Sequence, residues 1–144
     1  METPTMGRVT VKVRIENLRD LYDADRGALK ADEVRAVEVD DALVDTGAYK
    51  LFIPRRLVKK LGLKKFRTRR IRTTAGRSTA GVYEAVRLTI QGRECTIDVA
   101  DVPNDCPVLI GQIPLEMLDF VVDLRNQKLI GNPEHGGEHM IDAF

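Results

Sequence analysis

The chain has 144 residues, of which 43% are hydrophobic and 31% are charged, and its formal net charge is +1. This length and composition predict one soluble globular domain with its own core, and no apolar run approaches the roughly 18 residues of a membrane span. Trp is absent and aromatic residues make up only 5% of the chain, which disfavours an aromatic platform for stacking nucleic-acid bases.

The N-terminal segment and the cysteines indicate the compartment. Residues 1–7 contain no basic stretch followed by an apolar core, so no secretory signal is predicted and a cytoplasmic location is expected. Cys95 and Cys106 could form one disulfide, but without an export signal they are predicted to be free thiols. Two cysteines are too few for a cysteine zinc cluster.

The first part of the chain is predicted to form strands interrupted by one excursion. Residues 8–15 alternate polar and apolar side chains with the period of a half-buried strand. Residues 16–33 are charged and predict a long exposed loop or a hairpin excursion with Gly27 at a turn. A strand resumes over 35–44 and leads directly into Asp45.

A short helix is predicted after the next strand. Residues 51–53 form a short apolar strand. Pro54 suits the first position of a helix, and Gly62 suits the residue just past its end.

The chain then alternates strand-like segments with glycine-containing turns, which predicts two hairpins. The strand-like segments are residues 67–74, 79–83, 85–90 and 94–99. The turns between them are residues 75–78 and 91–92.

The C-terminal third continues the pattern of short elements. Residues 108–111 predict a short buried strand, 114–118 about one helical turn, and 120–123 with 128–130 a last hairpin. The tail, 132–144, is polar and Gly-rich and is predicted to be weakly structured. The count of short strands favours a mainly β, mainly antiparallel fold with one or two short helices.

Charge is distributed unevenly along the chain. Residues 46–83 contain twelve basic side chains and no acidic one, so the rest of the chain has a net charge of −11. A patch this basic could hold an acidic substrate segment, nucleic acid or the acidic part of another subunit. The plainer interpretation is a solvated surface that acids elsewhere in the fold balance.

The segment around Asp45 is the most informative in the chain. Leu43 and Val44 lead this carboxylate into a tight turn that continues as Thr46-Gly47-Ala48. Burial of a charge after an apolar strand is costly unless the charge is paired or used in chemistry. The structural alternative is a turn aspartate that caps the backbone amide of Gly47.

This pattern resembles the active-site turn of the retropepsin-like aspartic proteases, the single-domain branch that includes retroviral enzymes and bacterial relatives. Ile53-Pro54 follows at the usual spacing, and Gly76 lies in a hairpin where the family has its flap. The apolar-apolar-Gly segment at 108–111, followed by a helix, matches another family element. The resemblance implies a closed antiparallel β-barrel-like acid-protease fold.

The resemblance implies an aspartic endopeptidase whose site is shared between two subunits. Peptide hydrolysis of this kind needs two carboxylates, and the chain has one Asp-Thr-Gly, so Asp45 of each subunit would form the dyad of a homodimer. Thr46 would bond across the two-fold axis, Gly47 would allow close approach of the backbone, and Ala48 would keep the floor of the site small.

The resemblance also assigns a flap, a hairpin that closes over an extended peptide and excludes water. The flap residues are Thr74, Ala75, Gly76 and Arg77. The implied partners are a second copy of the chain and a peptide or protein substrate, with no cofactor and no membrane. Nucleic acid is disfavoured despite the basic stretch 55–77.

Two segments depart from the family pattern. Gln112-Ile113 follows Gly111, where retroviral enzymes commonly have residues that brace the dimer, and Tyr49-Lys50 stands where small or polar residues are usual. The alternative function is therefore a catalytically silent dimerisation or peptide-binding module of the same fold. A nucleic-acid-binding domain that uses residues 55–77 is a third possibility.

No internal repeat is visible, and we predict one domain over residues 1–144. Its retropepsin-like core spans about 34–131. The additional segments are an N-terminal strand at 7–15, the excursion at 16–33 and the tail at 132–144.

Two histidines in the tail have a spacing that suits zinc ligands. His135 and His139 are four residues apart, as ligands on one face of a helix would be. The glycines between them disfavour a helix and no third ligand is evident, so no metal site is predicted.

Overall fold

Alternating apolar side chains build the strands that enclose the core. The computed structural model describes residues 8–143, and in it β1 (Val9–Asn17) buries the odd-numbered residues from Val9 to Ile15 and exposes those between them. Residues 1–7, for which no secretory signal is predicted, lie outside the described residues. So does residue 144, the last of the predicted tail.

Six strands close into a barrel and a seventh extends from it. The strands are β1, β2 (Ala36–Val44), β3 (Leu51–Pro54), β4 (Lys65–Thr73), β5 (Gly76–Ile90), β6 (Arg93–Val102) and β7 (Leu109–Ile110). Their order is β1-β2-β7-β3-β6-β5-β4, and a further pairing of β1 with β5 closes the barrel. The predicted mainly β, closed acid-protease fold is confirmed. The β2–β7 and β3–β6 pairings are parallel and the others antiparallel.

The core fills the barrel with aliphatic side chains. Ile15, Leu51, Ile53, Leu88 and Ile110 are fully buried. Each contributes about 1.5–3 kcal/mol relative to an exposed position. Val44 and Ile110, the last residues of β2 and β7, belong to this core, which therefore fixes the ends of both strands.

Short helices and a small second sheet complete the structure. The helices are α1 (Leu18–Asp25), α2 (Arg55–Lys60) and α3 (Gln112–Met117), with 3-10 turns at Ala31–Glu33 and Pro133–His135. The second sheet is the predicted last hairpin, β8 (Phe120–Asp123) with β9 (Lys128–Gly131). Pro54 ends β3 instead of opening α2, and α3 begins two residues earlier than predicted.

The prediction of a loop or hairpin excursion at 16–33 is wrong, because this segment contains α1. The buried Asn17 side chain caps α1 by accepting from the Asp20 N–H at 3.0 Å, and it donates to the Leu61 carbonyl at 2.8 Å. Asp20 then accepts from the Arg35 guanidinium at 2.8 and 2.9 Å. Gly27 lies in the turn after α1 with φ +81°, as predicted.

The two predicted central hairpins share one strand. β5 runs without a break from Gly76 to Ile90, and a register shift between Tyr83 and Val86 replaces the predicted gap. The first turn is shorter than predicted, since only Thr74 and Ala75 lie outside the strands. The second turn, at residues 91–92, is confirmed, with φ +50° and +79°.

The tail is better anchored than predicted. The buried Asp119 carboxylate accepts from the Met140 N–H at 3.0 Å and bonds the His135 ring at 2.7 Å. Arg93 donates to the Gly137 carbonyl, and its guanidinium lies over the Phe120 ring. The hydrogen bond to Asp119 raises the pKa of His135 and lowers that of Asp119.

Two further features bear on the compartment. Cys95 and Cys106 are both free thiols, as predicted, and burial raises the pKa of Cys95 to about 11. None of the helices within residues 8–143 has the length and apolar character needed to cross a bilayer. A cytoplasmic location stays a prediction.

Candidate active site

The Asp45 turn is attached to the barrel through β7. The Leu43 N–H donates to the Val108 carbonyl at 2.8 Å, and the Asp45 N–H donates to the Ile110 carbonyl at 2.9 Å. These bonds extend the parallel β2–β7 pairing, in which Val44 lies opposite Ile110. The structure thus brings together the two segments that carry the resemblance, the turn and the apolar-apolar-Gly element.

A second set of backbone bonds ties the far side of the turn to the start of α3. The N–H groups of Gly111, Gln112 and Ile113 donate to the carbonyls of Lys50, Ala48 and Tyr49, at 2.9, 2.9 and 3.0 Å respectively. A Cβ at position 111 would lie 2.5 Å from the Lys50 oxygen and 2.8 Å from the Ala48 oxygen. Glycine is therefore required at position 111 because two backbone segments touch there.

The Asp45 carboxylate is half-buried and held by one oxygen. Oδ1 accepts from the Gly47 N–H at 2.9 Å, and the Ala48 N–H donates to the Asp45 carbonyl at 3.0 Å. This is the capping geometry of the structural alternative, yet it uses only Oδ1. No donor among residues 8–143 bonds Oδ2, so this oxygen is available to a water or a second carboxylate.

Thr46 lies at the exposed crest of the same turn. Its hydroxyl makes no hydrogen bond to the other described residues. A hydroxyl in this position is free to bond a group outside the chain.

The residues that depart from the family pattern differ in exposure and in bonding partner. Tyr49 is 66% exposed, while the Lys50 ammonium pairs with Asp98 at 3.2 Å. The Gln112 side chain donates to Glu116 at 3.0 Å, within its own helix. The Lys50 charge is thus bound by Asp98, and the bracing that Gln112 gives the turn comes from its backbone.

The predicted flap residues lie at the tip of the β4–β5 hairpin. Thr74 and Ala75 form the turn, and Gly76, with φ +115°, and Arg77 begin β5. The Thr73 hydroxyl closes the tip by donating to the Gly76 carbonyl at 3.0 Å and accepting from the Ala75 N–H at 3.2 Å. β4 is exposed along its length except at Ile71, which is half-buried.

Asp101 fixes the base of this hairpin, a role that sequence reasoning missed. Its buried carboxylate accepts from the Tyr83 hydroxyl at 2.8 Å and the Gly81 N–H at 3.1 Å, and lies 3.7 Å from the Arg55 guanidinium. Burial, and then the bond to Asp101, raise the pKa of Tyr83. The signal was an acid between the apolar residues Ala100 and Val102 at the end of β6.

The two tail histidines have separate partners. His135 bonds Asp119 and lies 3.4 Å from Asp142, while the His139 ring lies 3.1 Å from the Met117 carbonyl. Within residues 8–143 there is no group of three or more His, Cys, Asp or Glu side chains placed to hold a metal ion.

The closed barrel with few short helices and an Asp-Thr-Gly-Ala turn after an apolar strand defines the class as an acid protease of the retropepsin type. A family model described as aspartyl protease matches residues 30–122, a range that contains the Asp45 turn, the β4–β5 hairpin and Gly111. The chain belongs to the aspartyl protease family. Among curated proteins, no sequence match is found.

Proposed function

We propose that this chain is an endopeptidase in which two Asp45 carboxylates, one from each subunit of a homodimer, activate the water that hydrolyses the peptide bond. The observation that carries the proposal is the state of Asp45. Its Oδ1 is fixed by Gly47, its Oδ2 is unbonded among the described residues, and no second carboxylate of residues 8–143 bonds the turn. A second copy of the chain is the simplest source of the missing acid.

The chemistry follows from the proximity of two like charges. Two carboxylates that share one water cannot both ionise easily, so the pair titrates as a unit and holds one proton at the working pH. The ionised Asp45 removes a proton from the water, which attacks the scissile carbonyl carbon. The protonated Asp45 donates its proton to the carbonyl oxygen, which gives a tetrahedral intermediate with two hydroxyl groups. The Asp45 that took the proton of the water passes it to the amide nitrogen, the C–N bond breaks as the amine leaves, and one hydroxyl returns its proton to the other Asp45.

The neighbouring residues support this arrangement. The exposed Thr46 hydroxyl would bond the partner subunit's turn, and the Gly47 N–H orients the carboxylate at 2.9 Å. Ala48 carries no side chain beyond Cβ that would fill the site. The β4–β5 hairpin, with residues 74–77 at its tip, would cover the peptide.

A subunit-mixing experiment tests the shared dyad. Wild-type protein and Asp45→Asn protein are mixed in equal amounts, allowed to exchange subunits, and assayed by mass spectrometry on a diverse peptide library from acidic to neutral pH. A shared site predicts about one quarter of the activity of the same total amount of wild type, because only that fraction of dimers carries two aspartates. Independent sites would retain about one half.

A matched variant controls for the loss of a carboxylate. Asp41 lies in β2, four residues before Asp45, and is exposed. Asp41→Asn should therefore cleave as wild type does, alone or in the mixture. A strict monomer by analytical ultracentrifugation, or equal cleavage by wild type and Asp45→Asn, would refute the proposal.

The silent module is a second candidate, favoured by the exposed Tyr49 beside the turn and by the Gln112 side chain, which bonds within α3. Such a module would form the dimer and bind peptides yet cleave none of them. The same library assay separates the two functions, since any cleavage that Asp45→Asn abolishes and Asp41→Asn retains belongs to the enzyme.

A further inference from the structure

The part of the β4–β5 hairpin that extends from the barrel, residues 65–82, carries charge of one sign only. Five arginines extend from it into solvent, and no carboxylate within residues 8–143 pairs with any of them. These hairpin arginines are Arg67, Arg69, Arg70, Arg72 and Arg77. Because the rest of the chain is strongly acidic, a lack of available carboxylates does not explain this.

Four arginines elsewhere in the fold behave differently. Those at positions 14, 19, 35 and 87 form ion pairs with Glu38, Glu84, Asp20 and Glu16, at distances from 2.8 to 3.3 Å. The fold thus neutralises these four guanidinium groups internally and leaves those of the hairpin arginines unneutralised. Their counter-charge must come from solution or from a ligand.

The strand register separates the hairpin arginines onto two faces. Side chains alternate along a strand, so Arg77, Thr79, Gly81 and Tyr83 share one face of β5. Tyr83 packs against the core, and a Cβ at Gly81 would lie 2.9 Å from its ring, so this face continues the inside of the barrel. We call it the inner face.

Three arginines lie on the inner face and two on the outer face. Arg72 is opposite Arg77, and Arg70 is opposite Thr79, so all three inner arginines are neighbours. Arg67 and Arg69 alternate with them and lie on the outer face, opposite Val82 and Ala80.

The inner arginines are arranged to hold an anion. Like charges directly opposite each other on paired strands are destabilising, and Arg72 and Arg77 are such a pair. With Arg70 and Thr79, and with Ile71 and Ser78 of the outer face at its edge, they line a shallow, open concavity of about 530 Å³ that has no acidic lining residue. A carboxylate there relieves the repulsion and matches the fork of donors on each guanidinium.

We infer that the substrate is a peptide segment rich in Asp and Glu, bound beneath the hairpin by Arg70, Arg72 and Arg77. This inference rests on the proposed protease function, in which the hairpin covers an extended peptide. A peptide is favoured over nucleic acid because residues 65–82 contain one aromatic side chain, Phe66, and base stacking requires a series of them.

Peptide binding by Asp45→Asn protein tests the inference without cleavage. Two fluorescein-labelled pools of extended peptides share their sequences except that one has Asp and Glu where the other has Asn and Gln. Fluorescence anisotropy should give about tenfold tighter binding of the acidic pool, and added salt should reduce the preference. Arg70→Gln with Arg72→Gln should abolish most of it.

The outer face supplies a matched control. Arg67→Gln with Arg69→Gln removes the same charge from the same exposed strand and should keep the preference within about twofold. No preference for the acidic pool, an equal loss in both double variants, or tighter binding of a single-stranded oligonucleotide would overturn the inference.

Failure of the proposed function is a separate result. Wild-type protein that cleaves no peptide, while the inner-face preference holds, would refute the protease and support the acidic ligand. If wild type and the inner-face variant each cleave the acidic and the amide pools at equal rates, the acidic substrate is refuted and the proposed protease function is retained.

Discussion

Replacement of Gly111 by Ala is expected to destabilise the protein and disturb the Asp45 turn. The added Cβ would lie 2.5 Å from the Lys50 oxygen, 2.7 Å from the Tyr49 carbonyl carbon and 2.8 Å from the Ala48 oxygen. All three are backbone atoms, which cannot rotate away as a side chain does. Because φ at position 111 is −86°, alanine adopts this backbone freely and the cost is steric.

The expected loss in the free energy of unfolding follows from the backbone atoms that the added Cβ would displace. Overpacking a close-packed site costs about 1–3 kcal/mol, and each backbone hydrogen bond lost as the segments separate adds about 1 kcal/mol. Three such bonds join Gly111, Gln112 and Ile113 to the turn. Losing one or two of them gives a total of about 2–5 kcal/mol, or a Tm lower by about 5–15 °C.

Urea and thermal denaturation followed by circular dichroism measure the change, with Gly27→Ala as the control. Gly27 has φ +81° and open space around its Cβ position, so alanine there costs about 1–2 kcal/mol of backbone strain. If Gly111→Ala loses no more stability than Gly27→Ala, the two segments are not in the close contact described, and the reasoning is refuted.

Three further predictions concern single side chains. Asp101→Ala removes the acceptor for Tyr83 and should cost about 2–3 kcal/mol in urea denaturation. His135→Gln should weaken the tail anchor at acidic to neutral pH. The raised pKa of His135 gives stabilisation that is present below the pKa of an unfolded histidine and lost as pH rises through the folded value. Iodoacetamide at about pH 8 should label Cys95 only slowly until the protein unfolds, because its pKa is about 11.

Each prediction has a contrary outcome. The exposed pair of Asp98 with Lys50 is the control for Asp101, and an equal loss from Asp98→Ala would contradict the buried role. The NMR titration of His135 must give a pKa above that of a histidine in a short peptide. Rapid labelling of Cys95 in the folded protein would show that its thiol is not buried as described.

The sequence predicted the parts of the fold that depend on neighbouring residues. The period-two pattern of β1 and the turn at residues 91–92 were readable because their signals lie within a few positions. The β1–β5 pairing that closes the barrel joins residues about 70 positions apart, such as Ile15 and Leu88, and leaves no local mark. Helix α1 was missed although its Asn17 cap is a local signal, because the charged segment around it resembles a loop. Its remaining stabilisation comes from the pairing of Asp20 with Arg35 and the bond from Asn17 to Leu61, which are tertiary contacts.

The candidate site likewise has features that the sequence predicted and features that it did not. The Asp45 turn and the apolar-apolar-Gly element have side-chain signatures, so the sequence indicated both segments, though not their pairing through β2 and β7. The bonds from residues 111–113 to residues 48–50 run between backbone atoms, which no residue type reveals. The role of Asp101 depends on the register that places β6 beside both β3 and β5.

Among the described residues, β4 pairs with β5 alone and takes no part in the closure of the barrel. The hairpin can therefore gain or lose equal numbers of residues on its two arms without moving any barrel strand out of register. Because side chains alternate along a strand, a change of two residues on each arm keeps every remaining side chain on its present face. The reach of the hairpin, and with it the length of peptide that the proposed enzyme would cover, can thus change while the Asp45 turn stays unchanged.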